Sequence, residues 1–233
     1  MRFRRWAGAA LMVCMLLFCG ACHSETAFSK GETVRPLIVV DAGHGGVDGG
    51  AVSRDGTIME SDLNLQISQR LSLLLSFCGV DAVMTRKDAE DISSPEATSV
   101  REKKSSDLQN RVNFINKSGA DVLISVHQNS FFSNPSVRGA QVFYNAVPHG
   151  QRLAEVTQIA LNTTVNTNNR KNAKPIQESI YLMKEVNCAA ILVECGFLSN
   201  AEEARILCTQ QHQIQLALAI VAGYLEYTKE GCS

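Results

Sequence analysis

The feature that most constrains the fold is the regular alternation of short apolar segments with amphipathic ones. Apolar residues recur at helical spacing over 62–77, 106–118, 150–164, 200–208 and 211–228. The remaining apolar runs are rich in β-branched residues and predict strands: PLIVVDA (36–42), VDAVMT (80–85), ADVLISVH (120–127), GAQVFYN (139–145) and NCAAILVECGF (187–197). This alternation predicts a single α/β domain, with a twisted, mostly parallel central sheet and helices on both faces.

Two polar segments interrupt the alternation, at residues 87–106 and 163–179. We predict that both are long exposed loops. Such loops either connect elements or, when they lie beside a site, contribute to binding.

The first 30 residues differ in kind from the rest of the chain. A basic start, RFRR at 2–5, precedes a nearly uncharged apolar run at 6–22, which is the pattern of an export signal. The run is also long enough to remain as a membrane anchor. FCGAC at 18–22 resembles a bacterial lipidation motif, although Cys19 stands where that motif prefers leucine. We therefore predict an export signal or membrane anchor at residues 1–30.

Charge and cysteine content argue against two other classes of protein. The formal net charge is −1, so no broad basic field predicts nucleic acid as a partner. Three of the eight cysteines lie in the first 30 residues, and the other five are widely spaced without paired C-x-x-C units. The body of the chain therefore predicts neither a disulfide framework nor a structural zinc site.

Three of the apolar runs end on a side chain capable of chemistry. LIVVDAGH ends on His44, VLISVH ends on His127, and AAILVE ends on Glu194. Because sites in open α/β sheets form beyond the carboxyl ends of the strands, we expect these three side chains to converge.

A fourth candidate, Glu60, stands just before the helix that opens SDLNLQIS. The helix dipole favours a carboxylate there, so its position alone does not distinguish a dipole contact from a metal ligand. Two neutral imidazoles and one carboxylate are the protein ligands of a catalytic zinc, which keeps its fourth position for water. One glutamate would remain to accept a proton, and the spacing does not decide between Glu60 and Glu194.

Short motifs of other site classes do not fit the chain. The sequence has no H-E-x-x-H, no G-K-[ST] after the glycine loop and no G-x-S-x-G. GHGGVDGG fails the dinucleotide pattern G-x-G-x-x-G because Asp48 stands where the third glycine belongs.

Four segments together carry a resemblance to a known family. DAGHGGVDGGA, then Glu60, then SVHQNS and VECGFLSN resemble, in this order, the signatures of the zinc-dependent N-acetylmuramoyl-L-alanine amidases. The resemblance covers about 36–228. GAQVFYN, NTNNRKNAKPI and GFLSNAEEARIL are similar to the sporulation branch of that family, whose members act on spore-cortex peptidoglycan.

The resemblance implies roles that the spacing leaves open. It implies that His44, Glu60 and His127 hold one zinc ion and that Glu194 is the catalytic acid and base. The expected reaction is hydrolysis of the amide between muramic acid and L-alanine in peptidoglycan stem peptides. In the sporulation branch this hydrolysis prepares muramic acid for conversion to a lactam by another enzyme. Residues 31–233 then form the catalytic domain.

Three further residues are candidates for binding substrate or for supporting the ligands. Asp48 either orients His44 or only forms a turn. Asn129, two positions past His127, binds substrate or makes a structural hydrogen bond. Arg111 fits a structural ion pair better than a muropeptide contact.

One departure from the family concerns substrate choice. The family often has Ala-Asn-Ala after its second histidine, where this chain has Gln128, Asn129 and Ser130. That difference bears on fine specificity, not on the metal.

The expected partners follow from the same resemblance. They are peptidoglycan glycan strands with stem peptides, a protein activator, and the membrane through residues 1–30, with no nucleic acid. We expect the domain to act outside the cytoplasmic membrane, at the wall or the spore cortex. The alternative is an inactive peptidoglycan-binding or scaffolding member of the same fold.

Overall fold

The computed structural model describes residues 36–229, so the predicted export segment lies outside the described residues. The strands are β1 (Leu37–Ala42), β2 (Asp81–Met84), β3 (Val122–Asn129), β4 (Gln141–Tyr144), β5 (Lys174–Pro175) and β6 (Ala189–Phe197). The helices are α1 (Glu60–Phe77), α2 (Val100–Ser118), α3 (Gly150–Thr164), α4 (Tyr181–Glu185), α5 (Ala201–Leu207) and α6 (Gln210–Lys229). None of these helices has the length and apolar character needed to span a bilayer.

The strands form one six-stranded sheet in the order β2-β1-β3-β6-β4-β5. β4 runs antiparallel to β6, and every other neighbouring pair is parallel. The predicted α/β fold with a mostly parallel sheet is confirmed.

Side-chain alternation divides the core into two layers. In β3, Val122, Ile124 and Val126 pack on one face with residues of α1, α3 and α6. Leu123 points the other way and packs with residues of α2 and α4. This period of two is what a strand buried on both sides requires. Helices therefore cover both faces, as predicted.

Helix α2 begins earlier than the apolar spacing predicts. The prediction of a loop through residue 106 is wrong, because α2 starts at Val100. Ser99 accepts a hydrogen bond from the Glu102 backbone N–H, and the Glu102 carboxylate accepts one from Ser99. This capping box stabilises a polar first turn that has no apolar periodicity.

Three smaller differences concern short or terminal structure. Glu60 is the first residue of α1 and does not precede the helix. The two-residue strand β5 lies within the segment predicted as a loop at 163–179, and the single-turn helix α4 follows that segment. Both elements are too short to produce a periodic signal.

The thiols of Cys78, Cys188, Cys195 and Cys208 are free, as the cysteine spacing predicts.

Candidate metal centre

The sheet brings two of the strand-end candidates together. His127 on β3 is the direct register partner of Glu194 on β6. By alternation, His127 lies on the same face as Leu123, and Glu194 on the same face as Leu192, which is the face covered by α2 and α4. A cleft of about 370 Å³ opens there, with both residues in its lining.

Three potential ligand atoms converge beside this cleft. His44 Nε2 lies 3.3 Å and His127 Nδ1 lies 3.0 Å from Glu60 Oε1. One ligand atom from each of these residues lies within 4.8 Å of the other two. Ligands about 2.0–2.1 Å from a tetrahedral zinc are separated by roughly 3.3 Å, so the donor set and its spacing fit one zinc ion.

The Glu60 carboxylate is fixed by the backbone around it. It is 3% exposed. Its Oε2 accepts from Ala51 N at 2.7 Å, and its Oε1 accepts from Gln128 N at 3.0 Å and Asn64 Nδ2 at 3.3 Å. Burial opposes ionisation, but hydrogen bonds and attraction from the two histidines outweigh it and hold the pKa of Glu60 well below its usual range. The site therefore carries a fixed negative charge that suits a cation.

His44 is held in an unusual backbone conformation. Its φ is +61°, in the left-handed region that is uncommon for residues other than glycine, although asparagine, aspartate and histidine adopt it more often than the rest. Its Nδ1 lies 2.9 Å from Asp48 Oδ2, which leaves Nε2 for the cluster. Burial lowers the pKa of His44, but Glu60 and Asp48 outweigh burial and raise it to about 9.

Asp48 contacts His44 and also forms a turn. Besides the contact with His44, its backbone N–H and C=O pair with Gly45, and its Oδ1 accepts from the Gly50 N–H. The two alternatives for Asp48 are therefore not exclusive.

Gly43 has a steric reason to be glycine. A Cβ built at this position would overlap the imidazole of His127. The Gly43 backbone thus sits where the ring of a ligand candidate needs space, which explains one glycine of the loop.

Glu194 differs from Glu60 in its surroundings. Its Oε2 is inaccessible to solvent and has no hydrogen-bond partner among the described residues. Burial, with added repulsion from Glu60, raises the pKa of Glu194 to about 7, although attraction from His127 and His44 opposes the shift. A carboxyl group in this state can bind or release a proton near neutral pH.

Arg111 is a buried ion-pair residue, 1% exposed. It donates to Asp107 Oδ2 at 2.8 Å and to Asp41 Oδ1 at 2.7 Å. It also donates to the carbonyl oxygens of Ala42 and His44, both at 2.7 Å. These contacts fit the structural interpretation of Arg111, and a muropeptide contact stays a prediction.

Asn129 makes a local hydrogen bond. Its Oδ1 accepts from the Ser130 N–H at 2.7 Å. A bulge between His127 and Asn129 shifts the register, so simple alternation does not place both side chains on one face. Its role in substrate binding stays a prediction.

Arg86, which is 3% exposed, was not predicted from the sequence. Its guanidinium donates to four backbone carbonyl oxygens, those of Ala42 (2.9 Å), Gly43 (3.1 Å), Ser61 (2.8 Å) and Asp88 (2.7 Å). It therefore ties the loop that carries His44 to the first turn of the helix that carries Glu60. The available signal was an arginine directly after the predicted strand VDAVMT, at the sheet edge where the site forms.

Comparison with known proteins agrees with this geometry. The sequence profile of the N-acetylmuramoyl-L-alanine amidase family matches residues 38–226. The chain is 32% identical, over 234 aligned positions, to the germination-specific N-acetylmuramoyl-L-alanine amidase of Bacillus subtilis, covering 97% of this chain and 95% of that protein.

Two solved structures are similar over most of the chain. One is the CwlD amidase of Clostridioides difficile in complex with the GerS lipoprotein, with a TM-score of 0.80, 34% identity and coverage of 84% of this chain and 99% of that one. The other is an N-acetylmuramoyl-L-alanine amidase of Clostridium difficile 630, with a TM-score of 0.73, 31% identity and coverage of 84% and 97%.

Proposed function

We propose, because the chain belongs to the N-acetylmuramoyl-L-alanine amidase family, that His44, Glu60 and His127 hold a zinc ion and that Glu194 transfers the proton. The reaction is hydrolysis of the amide that joins muramic acid to L-alanine of a stem peptide. The observation that carries the zinc proposal is the convergence of three ligand atoms within 4.8 Å of one another.

The chain's own residues supply the proton transfers. When bound, zinc polarises a carbonyl group and acidifies water. Glu194 takes a proton from the attacking water while the oxygen of that water forms a bond to the carbonyl carbon of the amide. The C–N bond then breaks, and Glu194 gives the proton to the departing nitrogen of L-alanine. Burial of the Glu194 carboxyl group, which raises its pKa in the metal-free protein, favours its taking up a proton.

Other residues position these groups. Asp48 accepts from His44 Nδ1 and so directs Nε2 toward the ligand cluster. Arg86 and Arg111 bind the backbone carbonyls around His44 and hold the loop in its strained conformation. Asn129 remains a candidate for substrate binding.

We propose further that the enzyme acts on spore-cortex peptidoglycan, where removal of stem peptides precedes lactam formation. The similarity to the germination-specific amidase of B. subtilis supports this proposal. The CwlD amidase of C. difficile was solved in complex with the GerS lipoprotein. This similarity supports a protein partner for this chain also. Residues 1–30 are proposed to export the domain or to anchor it at the membrane.

The test combines two measurements on purified protein. Metal is removed with a chelator, zinc is restored, and peptides released from peptidoglycan are identified by mass spectrometry at each stage. We expect release with an L-alanine amino terminus to disappear and return with zinc. Release that persists in metal-free protein would contradict zinc dependence. Zinc retention and peptidoglycan binding without release, even with a partner supplied, would favour the non-catalytic alternative.

A further inference from the structure

A second polar pocket opens at the same edge of the sheet as the metal centre. β4 is antiparallel to β6, with Gln141 opposite Glu194. Arg138 precedes Gln141 by three residues, and Phe197 follows Glu194 by three. Phe197 pairs with Asn129, two residues beyond the His127–Glu194 pair, so at roughly 3.3 Å per residue it lies about 7 Å beyond Glu194 along the strand direction. Arg138 lies just before β4, at the same edge of the sheet.

This pocket, here called the Arg138–Lys171 pocket, has a volume of about 360 Å³. Its lining combines two cations with hydroxyl and amide groups: Ser136, Val137, Arg138, Asn168, Asn169 and Lys171. A polar lining with two positive charges suits an anionic group that also accepts hydrogen bonds.

Two partly exposed asparagines hold the backbones of the two cations. Asn169 Nδ2 donates to the Arg138 carbonyl at 2.6 Å. The Asn162 side chain binds the backbone of Lys171 twice. Its Oδ1 accepts from the Lys171 N–H at 3.0 Å, and its Nδ2 donates to the Lys171 carbonyl oxygen at 2.7 Å. The backbones of both cations are thus anchored on one scaffold, while the Arg138 side chain is exposed to solvent.

The residue between them in space is constrained as well. Gly139 has φ +95°, and a Cβ there would lie 2.7 Å from Asn169 Nδ2 and 3.1 Å from Lys171 Cε. Only glycine allows the two segments to approach this closely.

Neither cation has an ion-pair partner among residues 36–229. Glu203 attracts both, but its Oε1 accepts from Gly139 N at 2.7 Å and its Oε2 from Phe197 N at 2.8 Å. The Lys171 ammonium lies 5.8 Å from the centroid of the Phe197 ring. Its pKa is lowered, first by burial and then by Lys174, against the attraction of Glu203. An incoming anion would relieve this unfavourable placement of positive charge.

We propose that the Arg138–Lys171 pocket binds a free carboxylate of the stem peptide during cleavage. This inference rests on the proposed function. The amino sugars of the glycan strand are uncharged where they carry peptides, so the anionic groups of the substrate belong to the peptide. With Phe197 about 7 Å beyond Glu194 and the Lys171 ammonium 5.8 Å from the Phe197 ring, the pocket lies within about four extended residues of the reacting amide. The pocket therefore selects the peptide by charge.

The test compares two soluble muropeptides, one with free carboxylates and one with those carboxylates amidated. In the double variant R138Q and K171Q, we expect KM for the free-carboxylate substrate to rise about 10–100-fold, the range expected for charge-assisted hydrogen bonds. kcat and zinc content should stay near wild type. With the amidated substrate, wild type and variant should have the same KM.

The matched control is the double variant R170Q and K117Q, which removes the same charge from exposed positions that do not line the pocket. It should leave both KM values near wild type. An equal rise of KM in the control variant would overturn the proposal, because general electrostatic attraction to the positive charge of the protein would then explain the effect. A rise of KM in the pocket variant that is the same for the free-carboxylate and the amidated substrate would overturn it as well.

Equilibrium binding of the free stem peptide to zinc-loaded protein separates this inference from the proposed function. The pocket variant should weaken this binding even if no substrate is cleaved. Unchanged peptide binding, or a loss confined to phosphate-bearing wall polymers, would reject the peptide carboxylate as the ligand.

Discussion

Two buried polar clusters lie next to each other in this molecule and differ in how completely their atoms are satisfied. In the first, Asp41 accepts from Thr85, Ser125 and Arg111, each at 2.7 Å. In the second, both histidines converge on one oxygen of Glu60, while Oε2 of Glu194 has no partner among the described residues.

The pKa shifts follow the same division. Burial raises the pKa of Asp41, but Arg111 and the hydroxyl donors outweigh burial and lower it to about 2. The pKa of Glu194 is raised to about 7 because burial prevails there. A closed network of opposite charges fixes the scaffold, whereas a buried carboxylate oxygen without a partner and with a shifted pKa marks a candidate functional site.

The largest expected effect separates the two glutamates of the incomplete cluster. Glu194→Gln keeps the size of the side chain but removes its ability to accept a proton. We expect zinc to remain bound while peptide release falls by about 10²–10⁴-fold. Zinc content and released peptide are measured on the same sample.

Glu60→Gln is the matched variant, and it should lose zinc because an amide oxygen is an uncharged, weaker ligand. If Glu194→Gln loses zinc and Glu60→Gln retains it, the two roles are exchanged. Full activity of Glu194→Gln would remove the proposed mechanism.

The next effect tests the closed cluster. Arg111→Met leaves Asp41 buried without its counter-charge, and we expect the free energy of unfolding to fall by about 3–5 kcal/mol. Denaturant unfolding measures the loss. The control Arg101→Met, at an exposed position on the same helix, should change stability by less than about 0.5 kcal/mol. Equal losses in the free energy of unfolding would show that the buried Arg111–Asp41 pair contributes no more stability than an exposed arginine.

These clusters also show what sequence can and cannot predict. His44, His127 and Glu194 could be found because each ends an apolar run, and parallel strands bring such ends together. Arg86 and Asn64 were not found, because hydrogen bonds to distant backbone carbonyls leave no periodic pattern. The left-handed φ of His44 occurs beside a local contact with Asp48 and a tertiary hydrogen bond from Arg111, 67 residues away. The strands were predictable from local composition, whereas the supports of the site form only when distant segments meet.

The third effect is the response of the closed cluster to acid. The pKa of Asp41 is about 2 in the folded protein and about 3.9 in the unfolded chain. Because the unfolded state binds the proton first, the contribution of Asp41 is complete above about pH 4 and is lost as the pH falls through about 2. It amounts to about 2–3 kcal/mol, at 1.36 kcal/mol per pKa unit.

Unfolding free energies measured from pH 6 to pH 2 check this prediction. Asp41→Asn should be less stable than wild type at pH 6, and the difference should shrink as the pH falls. Parallel curves for the two proteins would mean that Asp41 does not titrate in this range.

The smallest effect concerns the exposed ion pair between Lys104 and Asp48, beside the metal centre. Lys104 Nζ lies 2.8 Å from Asp48 Oδ1, but the lysine side chain is 47% exposed. An exposed ion pair contributes less than about 1 kcal/mol, so Lys104→Gln should weaken zinc binding by less than about five-fold. Asp48 itself is held by its backbone pairing with Gly45 and by the Gly50 N–H, so it should keep its contact with His44 without the lysine.

Asp48→Asn removes the charge that orients the imidazole, and we expect a loss of about 10–100-fold in zinc affinity. Competition with a chromogenic chelator measures both variants. Equal losses would show that Lys104, despite its exposure, is required to keep Asp48 against His44.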